Sequence, residues 1–217
     1  MSTSNTSPPR PPRRKSSVDS LPGSDEAGKP APAIVRSLGE DNILYKGRLL
    51  YPESGPSRFA RRLVDAAPRE PARLYLVASP GLWYGVRELL ASIDDASALL
   101  CVETDPALAR LAKGSLAADL ASEARLAFVE GRDYDEVLAA AEGLGSYRRV
   151  LLVRLSGGAA FDESGYARLA KALDDDSVAA WRNKASLLVL GRLWARNIFR
   201  NLARLDSIRP LPGSDGE

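Results

Sequence analysis

Apolar and polar positions change rhythm several times along this chain, and each change marks an element. Between residues 34 and 51 short apolar pieces alternate with turn signals. Ile43-Leu44-Tyr45 and Leu49-Leu50-Tyr51 flank Lys46-Gly47, the pattern of a β-hairpin. Ser54-Gly55-Pro56-Ser57 then opens a helix, with Phe59, Leu63, Val64 and Ala67 at helical spacing as far as Pro68. From Arg73 the pattern becomes strand and helix in alternation. Apolar runs at Leu74 to Val77, Ala98 to Val102, Leu126 to Val129 and Val150 to Val153 predict four strands. Helical spacing predicts helices from Trp83 to Ser92, from Pro106 through Leu120, from Tyr134 to Ala141 and from Tyr166 to Leu173. Strands apolar on both faces, separated by helices, predict a parallel sheet covered on each side. Asp174-Asp175-Asp176 reads as a solvated turn. From about Val178 to Leu205 one long amphipathic pattern follows, with Leu187, Leu190, Leu193, Trp194, Ile198 and Leu202 on its apolar side.

The fold class is therefore α/β, a Rossmann-like (methyltransferase-like) parallel sheet with flanking helices, preceded by a β-hairpin and followed by a long helix. Its expected divisions are a disordered tail at 1–33, hairpin and leading helix at 34–70, a Rossmann-like domain at 71–176, a connecting helix at 177–206 and a flexible tail at 207–217. The first tail is rich in Pro, Ser, Gly and charge and has no apolar periodicity, so it cannot bury enough surface to offset its ordering entropy.

Composition narrows the chemistry. The 217 residues contain no histidine, which removes the commonest general base and metal ligand and any Ser-His or Cys-His pair. The single cysteine, Cys101, lies in an apolar run and reads as a core residue of a protein in a reducing compartment. The net charge of +2 belongs to residues 1–32, where five basic residues meet three acidic ones; the remainder is neutral, which argues against a nucleic-acid binder. The amino terminus has no signal-peptide core and no apolar run spans a membrane, so the expected location is cytoplasmic. Within the last helix Arg192, Arg196, Arg200 and Arg204 recur every four residues, and no acidic residue stands between Asp176 and Asp206.

Ligands of an open parallel sheet bind beyond the carboxyl ends of its strands. The first such turn, Ala78-Ser79-Pro80-Gly81-Leu82-Trp83-Tyr84-Gly85, is poor in glycine, and Pro80 lacks an N–H to offer. Trp83 reads as filling a hole. Glu103, 22 residues beyond Gly81, is a candidate to accept hydrogen bonds from ribose hydroxyls; the alternative is a strand-end acid facing water. Asp105 suits the cap of the helix opened by Pro106. The candidate cofactor-binding set is Ser79, Gly81, Glu103 and Asp105, for a nucleotide or S-adenosylmethionine if any cofactor binds. No catalytic or metal-binding set emerges, and Ser156-Gly157-Gly158, which follows the fourth strand, reads as a connection, with a ligand loop as the alternative.

Three segments carry a resemblance. Tyr51-Pro52-Glu53-Ser54-Gly55-Pro56-Ser57-Arg58-Phe59-Ala60-Arg61-Arg62-Leu63 is one. Leu74 to Leu90 with Cys101-Val102-Glu103-Thr104-Asp105-Pro106 is the second. Trp181-Arg182-Asn183, Gly191-Arg192-Leu193-Trp194 and Arg196-Asn197-Ile198 through Asn201-Leu202 make the third. Together, residues 49–205 resemble the family that joins motility accessory factor (Maf) flagellin glycosyltransferases with MptE-like 6-hydroxymethylpterin diphosphokinases. The resemblance implies glycine where Ser79 and Trp83 stand. It also implies transferase chemistry, of a nonulosonic-acid sugar to flagellin or of diphosphate to a pterin, in a domain beyond the last helix, whereas this chain stops at Glu217. The expectation is an amino-terminal module, from a truncated or split gene or a stand-alone paralogue, non-catalytic alone. Two alternatives stand beside it: an S-adenosylmethionine-dependent methyltransferase, and a protein docking on a partner or anionic lipid through its basic helix. Trp194, Arg196, Ile198 and Arg200 are the candidate interaction residues. The expected partner is a missing carboxyl-terminal domain or a second copy, through residues 187–205.

Overall fold

The computed structural model describes residues 31–205; the expectations for residues 1–30 and 206–217 lie outside the described residues. Strands β1 (Ala33–Ser37), β2 (Glu40–Tyr45) and β3 (Arg48–Leu49) form an antiparallel sheet in that order. Two hairpins are present where one was expected. Leu38-Gly39 and Lys46-Gly47 both adopt positive φ at each residue (51° and 85°, 49° and 74°), the two-residue turn whose twist matches the flanking strands. Helix α1 (Pro56–Ala66) follows with Gly55, not Ser54, at its cap.

The second sheet is parallel and carries the main core. Its strands β4 (Arg73–Ala78), β5 (Ala98–Glu103), β6 (Leu126–Glu130) and β7 (Arg149–Arg154) lie in the order β6-β5-β4-β7. That is the arrangement of the first four strands of a Rossmann-type sheet, with strand order reversing at β4. Side chains alternate across it. Leu74, Leu76, Ala78, Leu100 and Val102 face one apolar cluster with Val137, Tyr166 and Leu173, whereas Tyr75, Val77, Leu99 and Cys101 face the other with Trp83, Val86 and Leu89. Cys101 is fully buried, and burial pushes its thiol pKa up.

The intervening helices are α2 (Val86–Ser92), α3 (Pro106–Ser115), α4 (Ala118–Ala121) and α5 (Tyr134–Leu144), and a short 3-10 turn covers Gly157–Phe161. Two helices differ from the periodicity. Trp83 precedes α2 in a left-handed conformation rather than starting it. The helix expected from Pro106 through Leu120 breaks at Leu116 and Ala117, both extended, into α3 and α4.

The largest correction concerns the acidic run. Asp174-Asp175-Asp176 is not a turn but the interior of α6 (Glu163–Leu205), one helix of 43 residues that joins the two expected ones. Tertiary partners outweigh the weak helix preference of aspartate. Asp174 accepts hydrogen bonds from the Val150 N–H (2.8 Å) and Arg149 Nε (2.8 Å), Asp176 accepts one from the Tyr134 hydroxyl (2.6 Å), and Asp175 pairs with Lys171 one turn earlier. Burial works against the charge of Asp174, but Arg149 and the Val150 N–H outweigh it and hold its pKa below the ordinary value. Asp174→Ala is therefore expected to destabilise the fold by about 1–3 kcal/mol by orphaning the Val150 N–H. Asp174→Asn, which keeps an acceptor, should lose less in thermal unfolding. A loss of stability equal in the two variants would contradict this.

Candidate functional site

The crevice where a Rossmann-type sheet takes its ligand lies outside the carboxyl ends of β4, β5 and β7, around the reversal at β4. Ser79, Gly81, Glu103 and Asp105, chosen from sequence, do converge there. The turn after β4 has the backbone of a glycine-rich loop: Ser79, Gly81, Trp83 and Gly85 all have positive φ (52°, 58°, 64° and 81°). Ser79 and Trp83 thus occupy the positions where the resemblance implied glycine, in the conformation glycine would favour, at a cost of about 1–3 kcal/mol each. Trp83 is compensated by burial and by a hydrogen bond from its indole N–H to the Ala112 carbonyl (2.7 Å), with its ring edge-on to Phe128. It fills a hole, as expected.

What meets this turn is the chain itself. Asn42 is fully buried on β2 and clasps the following segment: its Nδ2 donates to the Tyr51 carbonyl (2.9 Å) and its Oδ1 accepts from the Tyr51 N–H (3.2 Å). That clasp sends the Tyr51 ring into the β4 turn. The phenol donates to the Pro80 carbonyl (3.2 Å) and accepts from the Leu82 N–H (3.1 Å). So the N–H that a ligand phosphate or carboxylate would use is taken. The fit is close, because a Cβ on Gly81 would lie 2.5 Å from the Tyr51 hydroxyl oxygen. Burial raises the Tyr51 phenol pKa, so the plug stays neutral.

Glu103 is neither a free ribose acceptor nor an acid facing water. It is 1% exposed. Its Oε2 accepts from the Ser79 hydroxyl (2.6 Å), and its Oε1 accepts from the Asp105 N–H (3.0 Å) and the Tyr166 hydroxyl (3.2 Å). Burial raises the Glu103 pKa against these three bonds, which favour the charged form; burial, and then the Glu103 charge, raise that of Tyr166. Asp105 caps α3, accepting from the Ala107 and Leu108 N–H groups, and also binds Lys46 Nζ (2.8 Å) and the Tyr45 hydroxyl (3.0 Å) from the second hairpin. Burial opposes its charge, yet Lys46, the Ala107 N–H and Tyr45 hold its pKa below the ordinary value.

The β4–β7 side is closed too. The Ser156 hydroxyl donates to the Ser79 carbonyl (2.7 Å), and the Gly157 N–H donates to the Leu50 carbonyl (2.6 Å). A Cβ on Gly158 would overlap Ser79 Oγ. Tyr45 and Phe161 meet edge to face (5.4 Å between centroids) under Lys46. Beside this closure a shallow depression of about 510 Å³ remains, lined by Leu49, Phe59, Leu63, Arg154 and Gly157 among others. A narrower cavity of about 180 Å³ lies by the amino end of β4, between α5 and α6, against Leu138, Leu173 and Trp181.

Tyr45, Lys46, Tyr51, Ser156 and Tyr166 were not selected from sequence, and only their apolar or turn context was visible there. Among the described residues no group of three or more carboxylates and cysteines is placed to hold a metal ion. The interaction residues Trp194, Arg196, Ile198 and Arg200 lie on the exposed distal part of α6.

No family model matches the sequence. A protein of Treponema pallidum (strain Nichols), described as uncharacterized, is 25% identical over 177 residues, a match that takes in 78% of this chain. The chain spans only 30% of that relative's length. Among solved structures, spermidine synthase in complex with the transition-state analogue AdoDATO matches with a TM-score of 0.42 at 14% identity, over 68% of this chain and 53% of that one. A protein-L-isoaspartate O-methyltransferase matches at 0.31 and 13%, over 56% and 34%. The parallel sheet with its flanking helices is Rossmann-like, and a long carboxyl-terminal helix follows it.

Proposed function

We propose that this chain is a non-catalytic Rossmann-like module of a larger protein of the Maf/MptE-like kind, serving to fold, dock or present rather than to transfer a group. The observation that carries this reading is the Tyr51 phenol in the β4 turn, bonded to both Pro80 and Leu82. The cofactor crevice is filled by the protein's own side chains, and the acid at its edge already accepts from three internal donors. A site whose donors are satisfied internally gives a ligand little to gain, because each new hydrogen bond must first break an existing one. The greater length of the Treponema relative supports a place within a longer protein. In the full proteins of the proposed family the transferred group is a nonulosonic-acid sugar or a diphosphate, and the chemistry belongs to the domain that this module would adjoin.

A methyltransferase with the same sheet would need the crevice open. Isothermal titration of the chain with S-adenosylmethionine, and separately with a nucleoside diphosphate, is therefore expected to give no binding at millimolar ligand. A dissociation constant near 1 μM, about 8 kcal/mol, abolished by Glu103→Ala in a variant that remains folded, would overturn the reading and establish the methyltransferase alternative.

A further inference from the structure

Helix α6 leaves the fold halfway along its length. Arg154 at the carboxyl end of β7 pairs with Glu163, and Arg149 at its amino end pairs with Asp174, so α6 runs back along β7 and past the amino-terminal edge of the sheet. Trp181 is the last partly covered side chain; from residue 182 onward every described side chain is exposed. Leu187 and Leu190 are bare at 69% and 46%, and Trp194, Ile198 and Phe199 at 67%, 58% and 71%. An apolar surface of this kind needs a cover.

The charge of the segment says which cover fits. Between Asp176 and Asp206 stand six basic residues and no acidic one, whereas residues 33–176 hold eighteen basic and twenty-two acidic. The positive charge is thus concentrated on the projecting helix. Arg192, Arg196 and Arg200 lie opposite the side formed by Leu187, Leu190, Trp194, Ile198 and Leu202. A second copy packed on the apolar side would leave these arginines on the opposite side without a counter-charge, whereas an anionic surface supplies one. Among the described residues no helix is long and apolar enough to cross a membrane. A helix with Trp, Ile and Leu on one side and arginines on the other is suited to lie in the plane of a bilayer, its apolar side among the acyl chains and its cations among the lipid phosphates.

We propose that the distal half of α6, from about Leu187, docks in the headgroup region of an anionic bilayer and tethers the Rossmann-like body to it. The inference goes beyond the module's proposed role and does not depend on whether the crevice binds a ligand. Flotation of the full chain with vesicles is the test. Binding is expected with phosphatidylcholine mixed with phosphatidylglycerol and not with phosphatidylcholine alone, and it should fall steeply with added salt. Tryptophan emission should shift to the blue on binding, and most of that shift should be lost in Trp194→Phe, since Trp83 is buried and Trp181 is partly covered by the body. Reversing Arg196 and Arg200 to glutamate should weaken partitioning by at least about thirtyfold, taking each basic residue at its usual surface contribution. Ile198→Asp should weaken it as well. All these positions are exposed, so unchanged thermal unfolding will certify the variants. Failure to float with anionic vesicles, equal binding to neutral ones, or binding retained by both variants overturns the proposal. So does self-association abolished by Ile198→Asp and persisting with vesicles present, which would assign the face to a second copy.

Discussion

Tyr51→Ala is expected to cost about 4–6 kcal/mol of stability, the sum of a large buried ring lost and a buried N–H orphaned. The ring is 1% exposed and meets Tyr84 edge to face at 5.2 Å, so its removal leaves a void that rigid neighbours cannot close. Leu82 would keep its N–H in a site with no other acceptor from the plug. Tyr51→Phe separates the two contributions. It retains the packing and removes only the hydroxyl, and should cost about 1–2 kcal/mol. Against a total of about 5–15 kcal/mol for a typical domain, the alanine variant should sit near its unfolding threshold. Chemical denaturation of the three proteins measures both steps. An alanine variant within about 1 kcal/mol of Tyr51→Phe would mean that the ring does not fill the turn tightly.

Glu103→Ala is the second large effect, at about 3–5 kcal/mol, since it strands the Ser79 hydroxyl, the Tyr166 hydroxyl and the Asp105 N–H at once. Glu103→Gln behaves differently, and pH distinguishes the cause. Burial raises the folded pKa of Glu103 above its ordinary value, so the folded state holds this proton more tightly than the unfolded state does. The stabilisation from protonation is complete below the ordinary glutamate pKa and is lost as pH rises through the raised folded value. Near neutral pH the ionised acid is therefore a burden that glutamine does not carry. The stability of Glu103→Gln relative to the natural protein should be greatest near neutral pH and should diminish as pH is lowered toward 4.5. A difference constant across that range would show that Glu103 titrates normally in the fold.

The parallel sheet could be read from the chain because its strands are apolar on both faces. β4 is buried at five of its six positions and β5 at all six, and their limits fall within a residue or two of the apolar runs. The first hairpin could not, because Leu38 at a left-handed turn position carries no turn signature and its strand β1 is half exposed. The acidic run misled for a related reason. Three aspartates look like a helix stop until Arg149, Val150 and Tyr134 are placed beside them, and those partners are 25, 24 and 42 residues away in sequence. At the crevice, Ser79, Gly81, Glu103 and Asp105 were visible as a Rossmann-type set because they follow strand ends. Their closure depends on Tyr51 and Tyr166, which reach the site from 31 and 63 residues away. No local pattern encodes such a meeting, since a tyrosine in an apolar run reads the same whether it fills a core or stops a ligand site.

Because α6 is a single uninterrupted helix, its two halves are geared together. The half that packs on β7 fixes the rotational phase of the half that projects, at about 100° per residue and about 1.5 Å of rise. A residue gained or lost between Trp181 and Leu187 would leave the body's packing intact yet turn the arginines toward the side that Trp194 and Ile198 now face. Chain length across that interval therefore sets the facing of the body, and an insertion there preserves it only near whole numbers of turns, as at about seven or about eleven residues.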